Sequence, residues 1–528
     1  MTFNLLDEPW IQVRRRSGET GLVSIRAAFT DAAEIRAIAG ELPTQDVAIL
    51  RLLIAIMLRA APHLRKAQAE DTWAGWWQTK ILPEETLPYL EQWQHRFDLL
   101  DPVQPFYQVP DLATASGKTS GLNKLIAEVP DGHQFFTVRT MATSLTLAEA
   151  ARWLVHCMAF DCSGIKSGAI GDDNVKAGKG FPIGRGWAGS CAVLTAEGDS
   201  LLETLLLNLV LTATGPDDAP LWEREPLTAA RLPGHTPRGA ADILTWPSRR
   251  IRLFVRDGMV TDALVCNGDP LDSKNQFAEP FTIWRYSKPQ STKLRTTVFM
   301  PAILTPGRSV WRGLEGLLAV QPDSGRGAEQ RASALLEWLA GHVEAETLLP
   351  QQQLRLRVNG LAYGSQDATV VGSINDTVTA EVVAFTNPDF AQLAVRGAST
   401  AEEVARAIGG LGRNLAWAAG ADPDAISAAG EQAREAAYAR FDRPFREWLL
   451  RFNPRADRTK LATDWQNELR NLALAYGKTL TDQAGPAALT GREVDGKQIN
   501  VPIAWRWFYK ALKQAVPLTT SHTMKESQ

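Results

Sequence analysis

Apolar and polar positions follow two different rhythms along this 528-residue chain, and the rhythm changes near residue 385. Before that point short extended runs dominate. Trp10–Arg14 and Leu22–Ile25 flank the glycine-containing turn Ser17–Gly21, which predicts an opening β-hairpin. Val47, Leu50, Ile54 and Leu58 then recur at helical spacing, with Thr44 as N-cap and Pro62 as stop. The Trp-rich stretch Thr72–Trp93 and the proline-broken segment Asp98–Pro110 read as chain wrapped around a core rather than as regular layers. From Ser163 to Gly189 glycine recurs at 164, 168, 171, 178, 180, 184, 186 and 189, too densely for a helix or strand, so a long ordered loop is expected. The apolar run Leu201–Leu211 reads as a buried helix. Ile251, Leu253 and Val255 alternate with Arg250, Arg252 and Arg256, and Asp257-Gly258 then precedes Val260–Val265, the clearest hairpin signal in the chain. Leu354, Leu356 and Val358 meet Asn359-Gly360 and continue through Tyr363 into Gly364-Ser365-Gln366-Asp367, a second hairpin or sharp loop.

Beyond residue 385 the spacing becomes helical. Thr400 with Glu403 and Thr463 with Gln466 read as capping boxes, and four helical segments run roughly over 400–419, 423–452, 463–483 and 501–516, with Pro454 and the stretch 485–497 as separators. Four such helices with short links suggest an antiparallel bundle. The expected fold is therefore α+β over residues 1–384, a large mixed domain of hairpins and long loops, followed by a four-helix bundle over 385–528.

Composition narrows the class. Apolar residues make up 45% and charged residues 22%, with Gly and Pro at ordinary levels, which excludes collagen-like, coiled-coil and wholly disordered chains. The net charge of −3 excludes a globally basic nucleic-acid binder but leaves room for a local positive face. The four cysteines (157, 162, 191, 266) contain no C-x-x-C pair, against a disulfide framework or zinc ribbon and in favour of a reducing cytoplasm. With no signal-peptide pattern and no apolar run of about 18 residues, a soluble cytoplasmic protein without a membrane partner is expected.

Catalytic motifs are incomplete. Gly117-Lys118-Thr119 ends like a phosphate loop, yet position 112 is Leu where that loop requires Gly. Gly178-x-Gly180 and Gly184-x-Gly186 do not complete G-x-G-x-x-G. The seven histidines form no H-E-x-x-H, so no metal site is expected, and no G-x-S-x-G elbow occurs. His156 and Cys157, in an apolar helical run, read as core. Charge says more. Between Phe281 and Arg312 lie Arg285, Lys288, Lys293, Arg295, Arg308 and Arg312 with no acidic residue, interleaved with Trp284, Tyr286 and Trp311. Such a mixture suits phosphate contact and base stacking, although a solvated strand face fits it at least as well.

Several segments in order carry a resemblance. Phe3–Val13, Asp101–Gln108, Gly164–Gly168 with Gly180–Trp187, Leu201–Leu211 and Thr245–Arg249 resemble the CasA family, the large subunit of the type I-E CRISPR surveillance complex Cascade. The likeness runs over nearly the whole chain. It implies a non-enzymatic, cofactor-free subunit that recognises the protospacer-adjacent motif (PAM) in double-stranded DNA, starts strand separation and R-loop formation, and helps recruit a helicase-nuclease. The implied partners are the other Cascade subunits, guide RNA, target duplex and that helicase-nuclease. The PAM-reading lysine of the family corresponds to Lys274, and its glutamine wedge to Gln366 on a hairpin tip. Its glycine loop against the minor groove corresponds to Gly178 or Gly180. An aromatic of another contact loop corresponds to Phe136, with Phe135 the alternative. Some relatives carry a zinc-like cysteine cluster, which this chain lacks. Two rival readings remain at this level: a purely structural subunit of a ribonucleoprotein complex, and a nucleotide-dependent enzyme with a Gly-rich loop.

Overall fold

The computed structural model describes residues 2–61, 66–127, 143–211, 215, 217–320, 330–494 and 496–517. The chain is a mixture of helix and strand that separates into two units. The first comprises Met1–Arg308, Gln330–Leu348 and Leu354–Thr377, and the second Ser309–Glu329, Leu349–Gln353 and Val378–Gln528.

The opening hairpin forms as expected from β1 (Ile11–Arg15) and β2 (Thr20–Val23), and β3 (Ile35–Ile38) pairs along the other edge of β1. Helix α1 (Pro43–Ala60) follows, but Thr44 is not its cap. Leu42 takes the cap position and Pro43 the first turn, where a proline loses no hydrogen bond. Thr44 is buried instead, its hydroxyl 3.0 Å from His156 Nε2. Nearly every side chain of α1 from Thr44 to Leu58 is buried, so this is a core helix rather than one with a single apolar stripe. Its Arg51 forms a bidentate pair with Glu279 at 2.8 Å on both oxygens, and Trp187 Nε1 donates to the same carboxylate at 2.7 Å.

The Trp-rich stretch corrects the expectation of irregular wrapping, because it folds into α2 (Lys66–Thr79) and α3 (Thr86–Trp93). Trp73 and Trp77 stack with ring centroids 5.4 Å apart, and their i, i+4 spacing is itself the helical signal. Helix α4 (Leu147–Phe160) opens on a capping box between Thr146 and Glu149 and leads into the glycine-rich segment, which carries the two-residue strands β4 (Lys166–Ser167) and β5 (Lys179–Gly180). After β6 (Val193–Glu197), α5 (Leu201–Leu207) covers only the first part of the apolar run, and Asn208 ends it by bonding both ways with the Ala196 backbone.

Strands β7 (Arg249–Arg256) and β8 (Met259–Asn267) form the expected hairpin, with Asp257 and Gly258 both left-handed at φ 51° and 77°. Alternation fails at its start, since Arg249 and Arg250 are both fully buried. Strand β9 (Trp284–Tyr286), helix α6 (Lys288–Leu294) and strand β10 (Phe299–Pro301) come next. Strands β11 (Gln353–Tyr363) and β12 (Val370–Glu381) complete a sheet of order β12-β11-β6. Asn359-Gly360 does not turn. It lies within β11, the central strand, where a Cβ on Gly360 would come within 2.9 Å of Leu304 Cδ1, and the reversal falls at Gly364–Thr369 instead.

In the second unit four long helices appear: α7 (Pro388–Ala419), α8 (Pro423–Leu449), α9 (Arg458–Asp482) and α10 (Val501–Ala515). The two expected capping boxes are interior positions. Thr400 bonds back to the Arg396 carbonyl at 2.9 Å, while Asn387 and Asp457 cap α7 and α9 thirteen and six residues earlier. Asn and Asp followed at once by helix-compatible residues outrank a threonine whose hydroxyl can bond within the helix. The core of the unit is aromatic, with Trp448 and Trp465 stacked at 5.3 Å above Gly397, where any side chain would collide with the Trp448 ring.

Candidate nucleic-acid interface

The glycine-rich segment is a finger. Lys166 pairs with Gly180 and Ser167 with Lys179. Beyond them Lys176 and Lys179 exchange both backbone hydrogen bonds at 3.0 Å, closing a two-residue turn of Ala177 (φ 49°) and Gly178 (φ 70°). Two successive left-handed residues make a type I′ turn, and glycine relieves its second position. Gly178 and Gly180, equivalent in the sequence, differ here. A Cβ on Gly178 would meet nothing within 4 Å, whereas one on Gly180 would lie 3.1 Å from Asn267 Nδ2, which donates to the Phe181 carbonyl at 2.7 Å. Gly178 therefore offers open backbone at the tip between the exposed Lys176 and Lys179, and Gly180 is part of the stem.

A buried charge cluster holds the finger's base. Asp161 Oδ2 accepts from Lys166 Nζ at 2.6 Å and from Arg249 Nε. Arg249 also donates to the carbonyls of Cys162 and Gly184, each at 2.9 Å, so one guanidinium grips both ends of the glycine segment. Burial pushes the Asp161 carboxyl upward, but the charges and hydrogen bonds of Lys166 and Arg249 outweigh it and hold the group below its ordinary range.

The tip of the β11–β12 hairpin abuts the same segment. Tyr363 Oη donates to the Phe160 carbonyl at 2.6 Å, satisfying an acceptor that the end of α4 leaves without a helical partner. Arg185 lies over the Tyr363 ring at 4.7 Å, pairs with Asp367 at 3.1 Å and donates to the Gly189 carbonyl at 3.0 Å. Gly164 faces Ala368 closely enough that a Cβ would touch its methyl at 3.8 Å. On this braced tip Gln366 is exposed and left-handed (φ 54°, ψ 22°), followed by the left-handed Asp367. A non-glycine residue in that region costs about 1–2 kcal/mol, and such strain persists only where the surroundings impose it.

Lys274 occupies a separate loop. Its ammonium pairs with Asp272, whose carboxyl is pushed up by partial burial and brought below its usual range by the Lys274 hydrogen bonds and charge. Asn275, left-handed at φ 53°, fastens this loop to β10: its backbone N–H donates to Phe299 O at 2.9 Å, and its Oδ1 accepts from Phe299 N at 2.8 Å. The loop is thus tied to the strand that follows α6, whose neighbourhood exposes Lys288, Lys293 and Arg295. Trp284 and Trp311 of the basic stretch do not join it, because both are buried core residues, and a stacking role for them is withdrawn. Phe136 and Phe135 lie outside the described residues. Sequence reasoning passed over Lys176 and Lys179, Arg185, Tyr363 and Arg249. The finger lysines flank a left-handed pair that only its Gly-Lys step hints at, and the others act through partners distant in sequence.

The finger, the braced hairpin and the Lys274 loop therefore belong to one unit, two of them in direct contact. Residues 4–476 match the family of CRISPR-associated protein Cse1. A curated relative, CRISPR-associated protein CasA/Cse1 of Thermus thermophilus, is 31% identical over 369 residues, covering 68% of this chain and 67% of the relative. The crystal structure of Thermobifida fusca Cse1 superposes with a TM-score of 0.89 at 37% identity, covering 98% of this chain and 99% of that one. At 19% identity the fold also matches a chain of a CRISPR RNA-guided surveillance complex, with a TM-score of 0.68 over 91% of this chain and 99% of the other. With its fold and nearly its whole length accounted for in this way, the chain belongs to the CRISPR-associated Cse1 (CasA) family.

Proposed function

We propose that this chain is the large, non-catalytic subunit of a cytoplasmic type I-E CRISPR surveillance complex. It recognises the PAM in double-stranded DNA, separates the first base pairs so that an R-loop can form, and helps recruit the helicase-nuclease. The observation that carries this reading is Gln366, held in a strained left-handed conformation at the exposed end of a hairpin nailed to the end of α4. Left-handed residues also occur in ordinary turns such as Asp257, and it is the bracing of this tip through Tyr363 and Arg185 that suits it to a mechanical role. The Lys274 ammonium donates to the N3 and O2 acceptors of the minor groove, a tolerant readout because that groove is degenerate. To do so it leaves Asp272, an exposed partnership worth at most about 1 kcal/mol. The open backbone at Gly178 follows the groove while Lys176 and Lys179 meet phosphates. Gln366 enters the stack, and the lost stacking, about 1.4 kcal/mol per step, is recovered in the guide heteroduplex. The buried thiols of Cys157 and Cys191, pushed up by desolvation, are poorly suited to nucleophilic chemistry.

The test assembles the guide-RNA complex with wild-type, Lys274→Ala or Gln366→Ala chain and measures target-duplex affinity at one salt concentration. The expected result is intact assembly with weakened binding in both variants, and loss of discrimination between intact and scrambled PAM in the first. Normal affinity in both variants overturns the assignments.

A further inference from the structure

Helix α10 carries a surface that the PAM reading does not use. Its sequence, VPIAWRWFYKALKQA, contains Arg506, Lys510 and Lys513 and no acidic residue, in a chain whose net charge is −3. Ala504, Phe508 and Leu512 are buried at i, i+4 and i+8, and the fit against α9 is close, for a Cβ on Gly477 would lie 2.8 Å from the Phe508 ring. That fixes the opposite face outward. Arg506, Lys510 and Lys513 follow one another at i, i+4 and i+7 along it, and Trp507 and Tyr509 flank the row, 37% and 47% exposed. Many other cations of this unit are neutralised locally: Arg434 by Glu431, Arg443 by Glu447, Arg451 and Lys460 by Asp464. Among the described residues, none of the three on α10 has an acidic partner. The negative end of the helix dipole accounts for Lys513 in the last turn, but not for Arg506 and Lys510 further in.

We propose that the outer face of α10 binds single-stranded nucleic acid, its phosphates on Arg506, Lys510 and Lys513 and its bases on Trp507 and Tyr509. A row of unpaired cations attracts any polyanion, but two large exposed rings beside it match only a polyanion with accessible flat faces. A duplex keeps those faces stacked inside, and an acidic peptide has none to offer. This surface is independent of the PAM reading, and the experiment keeps the two apart.

The probe is a fluorescein-labelled oligothymidylate of about 16 nucleotides, titrated into the full chain at several salt concentrations. The Arg506→Gln/Lys510→Gln/Lys513→Gln variant is expected to bind more weakly at low salt, with the slope of log affinity against log salt reduced by about 2. Trp507→Leu/Tyr509→Leu is expected to lose at least about fivefold in affinity with the slope unchanged, and Trp507→Phe/Tyr509→Phe to recover it. Lys274→Ala leaves this binding as it was. The proposal is overturned if neither α10 variant alters affinity or slope, if a duplex of equal charge competes as well as the single strand, or if poly-glutamate is bound and the oligothymidylate is not. Far-UV circular dichroism and melting of each variant separate loss of binding from loss of folding.

Discussion

Two of the left-handed turns in the first unit have opposite support. At the finger tip, Ala177 and Gly178 project beyond a two-residue ladder, and the space above Gly178 is empty. At the hairpin tip, Gln366 and Asp367 adopt the same backbone hand, but the turn is tied through Tyr363 to the end of α4 and through Arg185 to Asp367 and Gly189. The first can adjust to a surface it follows. The second can transmit a load, as a wedge must. Both rest on the same foundation, since Arg249 grips Cys162 and Gly184 at the ends of the glycine segment and the hairpin leans on that segment's flanks.

Removing the foundation has the largest expected effect. Arg249→Leu leaves Asp161 with Lys166 as its remaining ionic partner and strips the Cys162 and Gly184 carbonyls of their donor, and destabilisation of about 3–5 kcal/mol is expected in urea unfolding. Acid probes the same cluster. Because the folded Asp161 carboxyl lies below its unfolded value, its contribution is present above about pH 4 and is lost as pH falls further, when the unfolded chain takes up the proton first. Asp161→Asn is expected to remove that part of the acid sensitivity, seen as a flatter profile of unfolding midpoint against pH.

Tyr363→Phe comes next. It leaves the Phe160 carbonyl without its donor, for about 1–3 kcal/mol, and loosens the hairpin without altering Gln366. Slower strand opening with unchanged finger contacts, followed by fluorescence of a base analogue in the target, would sharpen the contrast between the tips. Gly178→Ala should cost about 1–2 kcal/mol through its positive φ alone, with no clash, and weaken duplex binding before opening begins. The smallest stability effect is expected from Gln366→Gly. Relief of backbone strain offsets the greater freedom of the unfolded chain, so the free energy of unfolding stays level or rises by up to about 1 kcal/mol while opening is lost. A variant that is no less stable and yet inactive separates a functional glutamine from an ordinary turn residue.

What the sequence revealed follows from how local each signal is. Asp257-Gly258 was legible as a hairpin because turn chemistry and flanking alternation agree within a dozen residues. Asn359-Gly360 carries a similar turn signal and misleads, because pairing on both sides of β11 holds the dipeptide extended. The tryptophans at 73 and 77 announced a helix that attention to their number concealed. Family likeness supplied the positions of Lys274 and Gln366, but not the Asp272 pairing or the left-handed backbone. Arg249 and Arg51 were illegible for a physical reason: their partners Asp161 and Glu279 lie 88 and 228 residues away, and nothing local distinguishes a buried arginine from an exposed one.

The division of labour between the two tips is tested most directly by stopped-flow fluorescence of 2-aminopurine placed at the first base pair beside the PAM, in complexes carrying Gln366→Ala or Gly178→Ala. The wedge reading predicts that Gln366→Ala slows opening of an intact duplex yet behaves as wild type on a target mismatched at that pair, while Gly178→Ala is impaired on both. Equal impairment of Gln366→Ala on the intact and the pre-opened target would contradict it, and so would normal opening of the duplex.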